Sequence, residues 1–187
     1  GIAQVSAAAG IEVVLIDRDE AAAQKGRDGI EKALAKNVSR ARLTAEKKNE
    51  TLARITPSAD YGDLAGCDLV IEAVFEDRAI KKQVTEKAEA VIGKDCIFGS
   101  NTSTLPITSL AQSSARPENF IGVHFFSPVD RMLLVEIIMG KKTGDEALAR
   151  ALDFCRAIRK TPIVVNDSRG FYTSRVVGTY VREGHLM

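Results

Sequence analysis

His124 interrupts the apolar run Val123-His124-Phe125-Phe126, and twelve positions later Glu136 interrupts a second one, Leu133-Leu134-Val135-Glu136-Ile137-Ile138. Burying either polar group alone costs several kcal/mol, roughly, so two intruders in neighbouring apolar strands are expected to find each other. A paired imidazole and carboxylate is a general base with an orienting group. A lone strand histidine is more often a satisfied core residue, and the residues by themselves leave both readings open. Asp17 ends the apolar run Ile11–Ile16, where a dinucleotide-binding fold sets a carboxylate on the adenosine ribose, selecting NAD over NADP. An aspartate there also serves as a turn or helix cap. Ser100-Asn101-Thr102-Ser103-Thr104 brings hydroxyl and amide groups together after another apolar run, for ligand contact or ordinary turn chemistry before Pro106.

The elements that must position these residues alternate in type. Ile11–Ile16, Asp68–Val74, Cys96–Gly99, Phe120–Phe126, Leu133–Met139 and Ile163–Val165 read as strands, several of them continuously apolar. Between them, apolar residues at helical spacing predict helices from Glu20 to about Val38, around Ile80 to Ile92, from Ile107 to Ala111, and from about Asp145 to Arg159. A further helix, capped by Thr44, runs to about Ala53, and Pro57 is expected to end the resulting hairpin. Strand-helix alternation of this kind predicts an α/β, doubly wound, mostly parallel sheet. In that class binding sites gather at the carboxyl ends of strands, so Asp17, Glu76, Asn101 and His124 should share one edge. After Asn166-Asp167-Ser168-Arg169-Gly170 the pattern changes, and Phe171 to Met187 reads as the opening of a helix of a second domain.

Composition narrows the function classes. The chain has 187 residues, 45% hydrophobic and 27% charged, with 26 Lys+Arg against 25 Asp+Glu. That profile suits one globular domain of ordinary size. No apolar run reaches the roughly 18 residues that span a bilayer, and no signal-peptide core follows Gly1. Cys67, Cys96 and Cys155 are odd in number and far apart, the pattern of reduced thiols, and with two histidines they offer no plausible metal site. Nine basic residues against four acidic ones fall between Lys25 and Arg54. That stretch has no aromatic residue for base stacking, so nucleic acid is not the expected partner. It reads as a solvated helical face or an attractor for a small phosphorylated ligand.

Taken in order, Gly1-Ile2-Ala3-Gln4, Glu72-Ala73-Val74-Phe75-Glu76, Ser100-Asn101-Thr102-Ser103, His124-Phe125-Phe126-Ser127-Pro128-Val129, Leu134-Val135-Glu136-Ile137-Ile138 and Gly170-Phe171 resemble the L-3-hydroxyacyl-CoA dehydrogenases. Ser127 and Phe171-Tyr172-Thr173-Ser174-Arg175 are more similar to the dehydrogenase part of the multifunctional fatty-acid-oxidation α subunit. The resemblance implies a Rossmann-type NAD-binding domain over residues 1–168, with an inserted helical hairpin and without its first strand and phosphate loop. Residues 169–187 would begin the all-α domain that completes the substrate cleft. The implied reaction is oxidation of L-3-hydroxyacyl-CoA to 3-oxoacyl-CoA in fatty acid β-oxidation, with hydride passing to NAD.

By residue, the resemblance implies that Asp17 holds the adenosine ribose, that Glu76 and Lys81 lie near the ribose and phosphates of NAD, and that Ala73 and Asn101 approach the cofactor. His124 is the implied base, Glu136 its orienting partner, and Ser103 a hydrogen-bonding partner of the C3 oxygen. Arg40 matches a basic position that contacts coenzyme A, and Ser127 lies near the substrate. Ser127 and Ser174 stand where monofunctional members carry Asn, so polar contacts there must differ. The family also implies a homodimer through the helical domain and, for multifunctional members, a hydratase region upstream and a thiolase subunit as partner. The expected compartment is the bacterial cytoplasm, or the mitochondrial matrix in a eukaryote. Two alternatives remain: a dehydrogenase for another small hydroxy acid, and a non-catalytic Rossmann-type binding module. A missing first strand further predicts an exposed sheet edge at Ile11–Ile16.

Overall fold

The computed structural model describes all 187 residues. A short helix, α1 (Ile2–Ala8), leads into β1 (Val13–Ile16). Next come the two helices of the hairpin, α2 (Glu20–Ser39) and α3 (Ala45–Ala53). Each starts at a side-chain cap: the Asp19 carboxylate accepts from Ala22 N at 2.7 Å, and Thr44 Oγ1 accepts from Lys47 N at 3.2 Å. The hairpin buries Ala23, Ile30 and Leu34 of α2 and Leu52 of α3. Arg27 fastens its base, donating to the carbonyls of Leu52 and Ile55 at 3.3 Å each.

Pro57 does not end the hairpin. It lies within β2 (Ile55–Ser58), which pairs parallel to β1 with Leu15 opposite Pro57. A proline is tolerated because β2 is an edge strand and its outer side needs no donor. Four residues containing a proline gave no readable strand signal.

The remaining strands are β3 (Leu69–Glu72), β4 (Ile97–Ser100), β5 (Phe120–Phe125), β6 (Leu134–Met139) and β7 (Thr161–Asn166), and they form a second sheet in sequence order. Every pairing is parallel except β5 with β6. The expected mostly parallel α/β architecture is therefore present, divided between a two-stranded and a five-stranded sheet. The division falls between β1 and β3, each of which has a single strand neighbour. Between them lies a cavity of about 750 Å³, with Val14, Leu15 and Ile16 on one flank and Leu69, Val70 and Ile71 on the other.

Helices α4 (Arg78–Glu89) and α6 (Asp145–Ala157) cover the larger sheet, with the short α5 (Ile107–Leu110) over β5 and β6. α6 sets Ala147, Ala151 and Cys155, spaced four apart, against the sheet with no exposure. Burial pushes the Cys155 thiol up to about 12 and that of Cys96 up to about 11, so both act as small apolar fillers. On the other face, the Phe98 and Phe120 rings stack with centroids 5.3 Å apart. At Gly122 a Cβ would come within 2.8 Å of Ile107 Cγ1 and Ile138 Cβ, so only glycine permits this approach of α5 to β5. No helix is long and apolar enough to cross a membrane. The final helix, α7 (Thr173–Leu186), leaves Val176, Val177, Tyr180 and Val181 exposed.

Candidate active site

The antiparallel exception in the sheet is what makes the site. Reversing direction between β5 and β6 puts His124 directly opposite Glu136 in register. Their side chains share one face of the sheet, and His124 Nδ1 lies 2.7 Å from Glu136 Oε2. The carboxylate is fully buried and the His124 side chain is 9% exposed. Glu136 Oε1 accepts from the backbone amides of Tyr172 at 3.1 Å and Thr173 at 2.8 Å. Burial acts against the charged carboxylate, but the Thr173 amide and the imidazole outweigh it and hold the Glu136 carboxyl below its usual range.

An ionised Glu136 has no proton to give, so Nδ1 is the donor in this pair. Nε2 is then left as the lone-pair nitrogen of the neutral ring, the tautomer a general base requires. Two aromatic rings hold the imidazole from the sides, Phe126 with its centroid at 4.6 Å and Phe171 at 6.0 Å. Phe171 is 1% exposed and adopts a positive φ of 48°, next to Gly170 at 75°. That turn brings the Tyr172 and Thr173 amides onto Glu136.

The loop after β4 meets the same place. Asn101 Oδ1 accepts from Phe125 N at 2.8 Å, joining the loop to β5 one residue beyond His124. Glu76, in the loop after β3, gathers the rest. Its Oε1 accepts from Thr102 Oγ1 at 2.6 Å, from Ser103 N and Thr104 N at 3.0 Å each, and from Thr104 Oγ1 at 3.0 Å. Ser103 Oγ stands 3.5 Å from the same oxygen, at the limit of hydrogen bonding, which leaves its hydroxyl available to another acceptor. Partial burial raises the Glu76 carboxyl, but the Thr102 and Thr104 hydrogen bonds and the Lys81 charge more than reverse this, bringing it to about 2.

Lys81 is turned inward, 2% exposed, with Nζ 3.0 Å from both Glu72 oxygens and 3.4 Å from Glu76 Oε2. The resemblance put it near the ribose and phosphates of NAD. The Lys81 ammonium lies beneath Glu76, closing a buried network in which Ser100 Oγ also donates to Glu72. Glu72 was not singled out from the sequence, although a carboxylate inside Leu69-Val70-Ile71-Glu72 with a lysine nine residues on was the available signal.

Glu76, Asn101, Ser103, His124 and Glu136 thus converge at the carboxyl ends of β3 to β5. Ala73 is exposed just after β3, and Ser127 is exposed two residues past the end of β5. Asp17 belongs to the other sheet: it is exposed at the end of β1, and its carboxylate accepts from Arg18 N at 2.7 Å. Arg40 is exposed at the end of α2, on the hairpin and away from this cluster. Asp17 and the His124 cluster thus stand on different sheets.

Comparison with known proteins agrees with the geometry. Residues 1–168 match the family model described as 3-hydroxyacyl-CoA dehydrogenase, NAD binding domain. The chain is 44% identical over 180 residues to a fatty acid oxidation complex subunit alpha from Psychrobacter arcticus, covering 96% of this chain and 25% of that protein. It therefore spans about a quarter of the length of the curated relatives it matches. Among solved structures, an (S)-3-hydroxybutyryl-CoA dehydrogenase from Ralstonia eutropha superposes with a TM-score of 0.95 at 38% identity, over 97% of this chain and 64% of that one. A 3-hydroxybutyryl-CoA dehydrogenase from Escherichia coli K12 gives 0.94 at 35% identity, over 97% and 39%. The resemblance read from ordered motifs, and the leaning toward the multifunctional α subunit read from Ser127 and Phe171–Arg175, accord with these matches. With strand order, buried His–Glu pair and family model in agreement, the chain belongs to the NAD-binding domains of the 3-hydroxyacyl-CoA dehydrogenases.

Proposed function

We propose that the full-length protein containing this chain oxidises L-3-hydroxyacyl-CoA to 3-oxoacyl-CoA, and that His124 is its general base. One observation carries the reading: a buried Glu136 carboxylate, 2.7 Å from His124 Nδ1 and already tied by two backbone amides, leaves Nε2 as the basic nitrogen. Bound NAD supplies the hydride acceptor. Asp17 holds its adenosine ribose, Ala73 leaves room for it, and Asn101 and Glu76 lie on the side toward His124. His124 Nε2 takes the 3-hydroxyl proton, and the nearby Glu136 charge stabilises the imidazolium so formed. Ser103 Oγ hydrogen-bonds the C3 oxygen, on a loop held in place by Glu76 with Lys81 behind it. Ser127 and Arg40 contact the CoA thioester, Arg40 from the basic hairpin.

The domain division that suits this reading is residues 1–168 for the cofactor and 169–187 as the start of a helical domain. The exposed apolar face of α7 supports the latter, since such faces are covered in a finished fold. A homodimer through that domain, a thiolase subunit as partner and a bacterial cytoplasmic setting, or the mitochondrial matrix in a eukaryote, belong to the same proposal; the name of the α-subunit relatives supports membership of a complex. The test is NADH consumption by the full-length protein with acetoacetyl-CoA, beside a small 3-oxo acid lacking CoA. Turnover restricted to the thioester is the expected result. Turnover of the free acid alone, or NAD binding without turnover of either, would replace this reading with one of the two alternatives.

A further inference from the structure

Lys160 is a buried cation that the proposed reaction does not use. It is 8% exposed and sits between α6 and β7, where Arg159 turns the chain at a φ of 58° and Lys160 N donates to Cys155 O at 2.8 Å. Its ammonium donates to two backbone oxygens, those of Val129 and, at 2.7 Å, Met132. Burial draws the ammonium below the ordinary lysine value, with the Asp130 charge acting the other way. Desolvating a lysine is costly, and a methionine-like side chain would fill the same space without that cost.

The acceptors belong to one segment, the return from β5 to β6. There Pro128 O accepts from both Arg131 N and Met132 N at 3.0 Å, making a single turn. The turn leaves the Val129 and Met132 carbonyls for another donor, and a cation at carbonyl ends is favourable. Thr161 N continues the attachment, donating to Leu133 O at 2.8 Å. The segment bears on the site through Phe126 at its start, whose ring leans on that of His124; Ser127, proposed above to contact the substrate, follows it. Val129 also packs so closely on Gly1, at the start of α1, that a Cβ on that glycine would lie 2.9 Å from Val129 Cγ2.

We infer that Lys160 is a positioning residue for the reaction, fixing the Phe126–Leu133 segment so that Ser127 and the Phe126 ring are set beside His124. The inference rests on the proposed dehydrogenase activity for its kinetic part. Its structural part stands on the hydrogen bonds alone, so two measurements separate them. In the full-length protein, Lys160→Met is expected to speed amide exchange at Arg131 and Met132 at least about tenfold, with β5 and β6 amides unchanged. In the same variant KM for acetoacetyl-CoA is expected to rise about tenfold, with kcat falling less than about threefold and the Kd for NADH unchanged. Lys160→Arg, which keeps the cation, should recover most of both effects. Unchanged exchange at Arg131 and Met132 would overturn the inference. So would a loss of kcat in proportion to a loss of folded protein with KM unaltered, which marks a purely structural lysine. A wild-type protein inactive toward the thioester would remove the dehydrogenase reading, while the exchange result would still decide whether Lys160 fixes the segment.

Discussion

The two flanks of the molecule are built to different standards. In the β4–β5–β6 centre every residue of β4 and β5 is buried, and Glu136 on β6 has no exposure. On the other side all four residues of β1 are only partly buried, and β1 and β3 face each other across the cavity rather than through a ladder. The His124–Glu136 pair, proposed for proton transfer, therefore stands on a closed, tightly packed support. The part expected to hold the adenosine end of NAD, with Asp17, stands on a two-stranded sheet whose inner edge is open.

The largest effects are expected in the closed centre. His124→Ala in the full-length protein is expected to lower kcat/KM by about 10³-fold, since proton transfer is lost, and to lower the melting temperature, since the buried Glu136 carboxylate loses a partner. Steady-state kinetics and a thermal scan check both parts. Glu136→Gln should do two things at once. It removes the carboxylate that fixes the imidazole, costing about 10²-fold in kcat, and it weakens the tie to Tyr172 N and Thr173 N, costing about 3 kcal/mol in denaturant titration. A stable Glu136→Gln protein with normal kcat would refute the role given to the pair.

Two glycines sharpen the contrast in packing. Gly122→Ala in the closed half should destabilise by about 2 kcal/mol, because its Cβ meets Ile107 and Ile138. Gly29→Ala in α2 meets nothing within 4 Å and should stabilise by about 1 kcal/mol through better helix propensity. Equal effects at the two positions would deny the difference between the halves. A further effect is expected on acid stability. The Glu76 carboxyl is held at about 2, below its ordinary 4.5, so its contribution is full above about 4.5 and is lost as pH falls toward about 2. Glu76→Gln should flatten that part of the stability-against-pH curve, and an unchanged curve would show that the 102–104 loop does not depend on the charge.

Most of the alternation was legible because parallel strands buried on both faces leave apolar runs such as Phe120–Phe125, and helices such as α6 leave a four-residue stripe. The His124–Glu136 pair was legible for a related reason: two polar residues in apolar strands stand out against their surroundings. β2 was not, since Ile-Thr-Pro-Ser carries neither length nor alternation, and only its partner β1 makes it a strand. Nor could spacing show that Lys81 points inward. Its helix presents lysines at 81 and 82, and only the fold decides that the first meets Glu72 while the second, 59% exposed in its side chain, faces water. The backbone amides of Tyr172 and Thr173 escaped notice because main-chain donors have no sequence signature.

His124 and Glu136 are proposed to act as one unit, which a double-mutant cycle in the full-length protein can decide. With acetoacetyl-CoA and NADH, the kcat of His124→Ala, Glu136→Gln and the double variant would be compared. The double variant is expected to be no slower than His124→Ala alone, because an orienting carboxylate has nothing to orient once the imidazole is gone. Losses that multiply would contradict it and assign Glu136 a role independent of His124.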